Sequence, residues 1–299
     1  MARYASPALE YGRCPMSVAF FSSGGGSGWI ASSNYSLRLL YQLPKRLSQK
    51  CRMCTVVNSI SERQQHSVKQ ALYNITEQVK QLCLECGRGQ DDIPRIVAVS
   101  KTKPPSLIME AYDAGHRHFG ENYVQELIEK AATLPKDIQW HFIGHLQSNK
   151  VKRLLDIENL WIVETVDRAQ VADALEKQCV KSGRRSINVY LQVNTSNEET
   201  KSGCSAGEVV QLAQYILESC PHLSFKGLMT IGRPDVSHVA QDFETLKACR
   251  AKVERECQLS GLELSMGMSN DWKEAVRLGS NNIRIGSALF GERPQKKQG

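Results

Sequence analysis

The chain has 299 residues, 41% of them hydrophobic, and a formal net charge of +7. This length and composition suffice for a sizeable buried core, and no apolar run approaches the ~18 residues of a membrane-spanning helix. Residues 1–60 hold seven basic residues and one acidic residue, whereas residues 61–299 are nearly neutral at +1. Because the charge is confined to one end, we do not expect the folded part to bind nucleic acid.

Residues 1–60 form a basic leader that is rich in Ser and Gly and shows no regular hydrophobic period. This composition is typical of an organelle transit peptide, a disordered extension or a segment upstream of the true start. The ten scattered cysteines do not resemble a disulfide scaffold, so we expect a cytoplasmic or mitochondrial protein. The pairs Cys51/Cys54 and Cys83/Cys86 are too widely separated for a usual zinc site, and no metal is predicted.

From residue 61 onward the hydrophobic pattern becomes regular. Apolar residues recur every three or four positions from Val68 to Cys86, which predicts an amphipathic helix that leads into the domain. Short stretches rich in β-branched residues then alternate with helical stretches. The predicted strands are 95–100, 117–120, 138–144, 161–166, 187–194, 225–231, 263–267 and 283–287. The predicted helices are 105–114, 123–134, 148–156, 168–182, 206–219, 239–259 and 271–278.

Eight strands in strict alternation with helices predict a single (β/α)8 TIM barrel, an α/β fold that occupies residues 61–299. An open doubly wound sheet is the alternative, but neither a GxGxxG fingerprint nor a Walker sequence follows the first strand. The functional residues of such a barrel lie at the C-terminal ends of its strands. These ends carry polar residues nearly all the way round in this sequence.

Lys101 is the most reactive candidate at that face. It follows the apolar run Val97 to Val99, so its amine is expected to be partly desolvated, a setting in which lysine attacks a carbonyl. The alternative is an ordinary solvated loop lysine.

The ends of strands 7 and 8 are the usual place for a phosphate in these barrels. Ser269 precedes a helix there, and Gly286 with Ser287 offers close backbone approach and a hydroxyl; tight packing alone is the alternative reading. Arg284 should point into the barrel at the same level, either towards a ligand or in an ion pair with Glu121 or another carboxylate. An amine opposite a phosphate cradle describes a site for pyridoxal 5'-phosphate (PLP).

Several longer motifs carry a family resemblance between about residues 65 and 293. They are VSKTKP (99–104), FGENYVQE (119–126), WHFIGHLQSNK (140–150), GLMTI (227–231), LSMGMS (264–269), VRLGS (276–280) and IRIG (283–286). In these motifs the chain resembles the pyridoxal phosphate homeostasis protein family. Asn270 and Trp272 depart from the residues expected after LSMGMS.

The resemblance implies a fold-type III PLP barrel like the N-terminal domain of alanine racemase, with PLP held as a Schiff base on Lys101. It implies phosphate contacts from Ser269, Gly286 and Ser287 and places Arg284 opposite the pyridine nitrogen. Asn122, Asn194 and Met229 would line the cofactor.

The resemblance also implies a role in vitamin B6 balance, with PLP and PLP-dependent apo-enzymes as partners. Little more than residues 290–299 follows the last predicted strand, so we do not expect a second domain to supply an opposite-face base. We therefore expect a PLP carrier, a monomer or a weak dimer, rather than a powerful enzyme. An amino-acid racemase of unknown substrate is the alternative, and a scaffold without cofactor is a third hypothesis.

Overall fold

A computed structural model describes residues 67–198, 200–233, 235 and 237–292. Eight parallel strands pair in chain order, and the first also pairs with the last, so the sheet closes into a barrel. The strands are β1 Arg95–Val99, β2 His118–Glu121, β3 Gln139–Phe142, β4 Leu160–Val166, β5 Ile187–Gln192, β6 Leu223–Met229, β7 Glu263–Met268 and β8 Asn282–Ile285. The described helices are α1 Val68–Glu85, α2 Pro105–Asp113, α3 Val124–Thr133, α4 Val151–Leu155, α5 Ala169–Ser182, α6 Val209–Ser219, α7 Val239–Glu256, α8 Trp272–Arg277 and α9 Ser287–Phe290.

The TIM barrel predicted from the alternating pattern is confirmed, and so is the helix that precedes it. The proposed leader, residues 1–60, lies outside the described residues, and its role stays a prediction.

One boundary bears on the site: β8 ends at Ile285, two residues earlier than predicted. Gly286 and Ser287 therefore belong to the start of α9 instead of the strand. None of the described helices combines the length and apolarity needed to cross a membrane.

Helix α1 packs on the outside of the barrel, against α2, α8 and α9. Its apolar stripe, which includes Val68, Leu72 and Val79, is buried in the main core. The loop after it carries Arg88, whose guanidinium donates to the carbonyls of Val276 and Ser280 at 3.0 and 2.9 Å. These carbonyls lie at the end of α8 and just after it, so α1 and its loop brace the helix next to the predicted phosphate site.

The inside of the barrel is unusually polar. Such barrels are commonly filled by layers of branched apolar side chains, yet here charged and polar residues from four strands are completely or almost completely buried. They form one hydrogen-bonded set along the barrel axis, to which each strand contributes as follows: His141 from β3, Glu164 from β4, Ser265 from β7, and Asn282 and Arg284 from β8.

Two histidines at the N-terminal end of the barrel should make its stability depend on pH. Burial lowers the pKa of His116 to about 4 and that of His118 to about 3. Unperturbed histidine titrates near 6.5, so between these values the unfolded chain binds protons that the folded chain does not. The stabilisation is therefore fully present above about pH 6.5 and is lost progressively as the pH falls towards the folded pKa values.

We expect these residues to lower the free energy of unfolding by up to about 1.4 kcal/mol per histidine for each pH unit in this window. In His118→Asn the amide can still donate to His141 Nε2, as His118 Nδ1 does at 3.0 Å. Urea unfolding at about pH 7 and about pH 5 should show a smaller acid loss for this variant than for the wild type. Identical losses would mean that His118 does not contribute.

Candidate functional site

A cavity of about 510 Å³ opens at the C-terminal ends of the strands, the face on which the sequence placed the site. This volume lies within the range of small-molecule and cofactor pockets. Seven of the eight predicted site residues line it: Lys101, Asn122, Met229, Ser269, Arg284, Gly286 and Ser287. They come from the ends of β1, β2, β6, β7 and β8, so the closed sheet gathers residues that are up to 186 positions apart.

Lys101 is the second residue after β1, and its half-buried side chain lines the cavity. The next residue, Thr102, has a φ of 62°, which is rare for a β-branched residue. Lys103 reaches across to the end of α9, where its ammonium donates to the carbonyls of Phe290, Gly291 and Glu292 at 2.9 to 3.0 Å. The loop after β1 is thereby tied to the helix that begins with Ser287.

Arg284 forms part of the cavity wall, and only 4% of the residue is exposed. Its guanidinium donates to Ser265 Oγ at 2.6 Å and to the carbonyl of Thr230 at 2.7 Å. The alternative ion pair with Glu121 is not formed, since Glu121 accepts a hydrogen bond from Lys130 instead. The inward orientation predicted for Arg284 is therefore found, with a different set of partners.

The negative charge that balances Arg284 lies deeper in the barrel, at Glu164. Ser265 connects the two, because its hydroxyl accepts from Arg284 and donates to Glu164 Oε2 at 2.6 Å. Burial opposes ionisation of Glu164, but a hydrogen bond from His141 and the charge of Arg284 outweigh it and lower the pKa. Burial lowers the pKa of His141, so the ring is neutral and its Nδ1–H donates to Glu164 Oε1 at 2.6 Å.

The predicted phosphate side of the cavity is formed by the turns after β7 and β8. Ser269 Oγ accepts from the backbone N–H groups of Gly286 and Ala288 at 3.2 and 3.5 Å, so these donors converge on one point of the cavity wall. A Cβ on Gly286 would meet Val99 only at ordinary contact distance, 3.5 Å. Tight packing therefore does not require glycine here, and the open side of Gly286 faces the cavity.

Packing does explain the glycine of the LSMGMS motif. Gly267 has a φ of 99°, and a Cβ there would lie 2.5 Å from the Cβ of Ala275. The departures from the family motif have separate positions. Trp272 is buried against the core at the start of α8, while Asn270 lines the cavity. The bulky indole therefore does not occupy the site.

Asn194 lies apart from the other predicted residues. It lines a neighbouring cavity of about 250 Å³, and its amide nitrogen donates to the carbonyl of Glu198 at 2.9 Å. Five wall residues are common to the two cavities: Asn122, Ile143, Lys201, Ile231 and Gly232. Asn194 thus faces the space next to the Lys101 cavity rather than the cavity itself.

Sequence reasoning missed Glu164, Ser265, Asp271 and Lys130, which lie in the cavity wall or support it. Burial raises the pKa of Asp271, whose carboxylate accepts from the backbone N–H of Met268. A signal for Glu164 was present, since it is a charged residue inside the apolar strand WIVETV. A buried charge needs a partner, and Arg284 was the predicted buried charge of opposite sign.

Comparisons with known proteins identify the fold and the family of the chain. A family model described as "Alanine racemase, N-terminal domain" matches residues 71–294. The human pyridoxal phosphate homeostasis protein is 43% identical over 240 residues, which cover 76% of this chain and 87% of that protein.

Two solved structures extend the comparison. PipY of Synechococcus elongatus, solved with PLP bound, has a TM-score of 0.64 and 32% identity and covers 75% of this chain and 100% of its own. Alanine racemase of Corynebacterium glutamicum, with 16% identity, a TM-score of 0.57 and coverage of 77% and 63%, shares the fold. The chain is therefore a barrel of the alanine racemase N-terminal type. Within that class it belongs to the pyridoxal phosphate homeostasis protein family.

Proposed function

We propose that this protein binds PLP in the cavity at the C-terminal end of the barrel and carries it as a Schiff base on Lys101, in intracellular PLP homeostasis. The observation that carries the proposal is the convergence of Lys101, Arg284 and the Ser269–Gly286–Ser287 turn around one cavity. PipY, a relative at 32% identity, is a PLP-bound structure, and the curated relatives are named for PLP homeostasis.

The residues present fit the group. Lys101 supplies an amine, and the backbone N–H groups near Ser269 together with the Ser287 hydroxyl suit a phosphate. When bound, PLP supplies an aldehyde that can hold amines covalently. Arg284 would face the pyridine nitrogen, and because a guanidinium is always cationic it would disfavour protonation there. Asn122 and Met229 would line the ring, and Asn194 would act from the adjoining cavity.

A carrier is favoured over a racemase by the composition of the cavity wall. Two-base racemisation needs an acid or base on the opposite face. Neither a tyrosine nor a histidine is among the described residues that line the cavity, and the lining side chains of Lys103, Lys201 and Asp271 hold backbone partners. Tyr123, which follows the cavity residue Asn122 and is a candidate for this base, is 57% exposed and lies outside the cavity wall. We further propose that the clients are PLP-dependent apo-enzymes, that the protein is a monomer or weak dimer, and that it works in the cytoplasm or mitochondrion.

The test is to load the full chain with PLP and remove the excess. The wild type should keep a visible absorption band and, after borohydride reduction, a modified Lys101 in peptide mapping. Lys101→Ala should lose both, whereas Lys226→Ala, which changes an exposed lysine outside the site, should keep both. A wild type without modification at Lys101 would refute the proposal. Sustained exchange of an amino-acid Cα proton at about 1 per second or faster would identify an enzyme instead.

A further inference from the structure

A buried lysine supports the loop that presents Lys101. Lys130 lies on α3, and only 6% of its side chain is exposed. Its ammonium donates to the carbonyl of Ser100 at 2.7 Å, to Glu121 Oε1 at 2.7 Å and to Glu126 Oε1 at 2.6 Å. All three hydrogen-bond donors of the ammonium are thus used.

The three acceptors share one location. Ser100 is the residue directly after β1, Glu121 ends β2, and Glu126 lies in the first turn of α3. Burying an ammonium and the Glu121 carboxylate, with the Glu126 carboxylate partly buried beside them, is costly, and an apolar side chain of similar size would hold a helix against a sheet as well or better. The cluster therefore indicates that these strand ends, which carry Lys101 and Asn122, must be held in a fixed position.

Glu126 connects Lys130 to Thr102, the residue that follows Lys101. Its Oε1, held by Lys130, also accepts from the backbone N–H of Thr102 at 2.6 Å. Thr102 adopts the left-handed conformation with φ at 62°, which a β-branched residue disfavours unless its surroundings impose it. The Lys130–Glu126 pair thus holds the residues on both sides of Lys101, Ser100 by its carbonyl and Thr102 by its amide.

The charges of this cluster depend on the ammonium. Burial raises the pKa of Glu121 and Lys130 opposes that rise, while Glu121 Oε2 is buried with no hydrogen-bond partner in the described part of the chain. Without the lysine, two carboxylates would share a largely buried site with only the Ser100 hydroxyl and the Thr102 amide as donors. Their repulsion would release the loop after β1.

We propose that Lys130 is a positioning residue that, through Ser100 and the Glu126–Thr102 contact, holds Lys101 in the orientation needed for its amine to condense with an aldehyde. The condensation forms one C=N bond, releases the carbonyl oxygen as water and needs no redox partner. The role follows from the principle that a reacting group must be held in near-attack geometry by a supporting set of contacts. It rests on the proposed function, because Lys101 must be the amine that binds PLP.

The test compares two ligands that differ only at the reacting carbon. PLP carries the aldehyde, whereas pyridoxine 5'-phosphate has an alcohol there and probes the same cavity without the bond to Lys101. In Lys130→Met we expect the affinity for PLP and the rate at which the visible band develops to fall by about tenfold to a hundredfold. The affinity for pyridoxine 5'-phosphate should change by less than about threefold. Glu126→Ala, which leaves Lys130 paired with Glu121, should show the same selectivity to a smaller extent and serves if Lys130→Met does not fold.

Arg184→Met is the matched control. Arg184 is also a partly buried cation that binds backbone carbonyls, those of Leu155, Ile157, Glu158 and Leu160, but it lies before β5 at the other end of the barrel. It should reduce thermal stability without changing the ratio of the two affinities. Equal weakening of both ligands in Lys130→Met and Glu126→Ala would overturn the positioning role and leave a structural one. A wild type that shows no covalent PLP would instead overturn the proposed function, so the two failures are distinct.

Discussion

Glu164→Gln is expected to lower the free energy of unfolding by about 3–5 kcal/mol, the usual cost of leaving a buried charge without its counter-charge. Glutamine has the same shape, and its carbonyl oxygen can still accept the hydrogen bond from His141. The change therefore removes the negative charge together with the acceptor for the Ser265 hydroxyl, because an amide nitrogen takes the place of Oε2. Burial already disfavours the charged form of Arg284, and this guanidinium would then lack its counter-charge in the barrel interior. Urea unfolding of the two proteins at neutral pH measures the difference.

A comparison within the same barrel separates the effect of burial from that of charge. Glu263 pairs with Arg95 at 2.9 Å near the N-terminal end, but its side chain is 31% exposed. Glu263→Gln should therefore cost about 1 kcal/mol or less. In the double variant Glu164→Gln/Arg284→Met, part of the stability lost in Glu164→Gln should return, because neither charge is then left alone. Equal effects of Glu164→Gln and Glu263→Gln would argue against a buried charge pair at the cavity wall.

The fold and the location of the site could be predicted because both follow from periodicity. Strands such as RIVAV and INVYLQ alternate with amphipathic helices, and a closed parallel barrel brings all carboxyl ends to one face. This was enough to place Lys101, Ser269 and Arg284 around one cavity. The end of β8 was misplaced because Gly286 turns its N–H towards Ser269 instead of continuing the strand, an interaction between residues 17 positions apart.

The supporting residues could not be predicted for a related reason. Lys130 lies in the sequence IEKAAT, which reads as an ordinary solvated helix face, and its burial depends on how closely α3 packs against the ends of β1 and β2. The link between Glu164 and Arg284 depends on Ser265, a small residue with no distinctive sequence signal. Periodicity shows which face of an element is buried, but it does not show which polar atoms meet inside.

The backbone at the end of β2 lies so close to the backbone just after β3 that even a methyl group added there is expected to have a large effect on stability. A Cβ added at Gly144 would lie 1.9 Å from the carbonyl oxygen of Asn122 and 2.6 Å from its carbonyl carbon. Backbone atoms cannot move aside as a flexible side chain can, so Gly144→Ala must displace the end of one strand. We expect a loss of about 1–3 kcal/mol in the free energy of unfolding, as for other overpacked sites.

Gly144→Ala should also weaken the binding of PLP. The displaced backbone belongs to Asn122, which lines the cavity and lies two residues before α3, the helix that carries Lys130. A shift of about 1 Å at a reacting site can cost about a hundredfold, so titration with PLP should show at least roughly tenfold weaker binding. Gly207→Ala is the matched control, because a Cβ there meets only Ser205 Oγ at 3.7 Å. PLP affinity unchanged in Gly144→Ala would show that the cavity does not depend on the position of the β2 end.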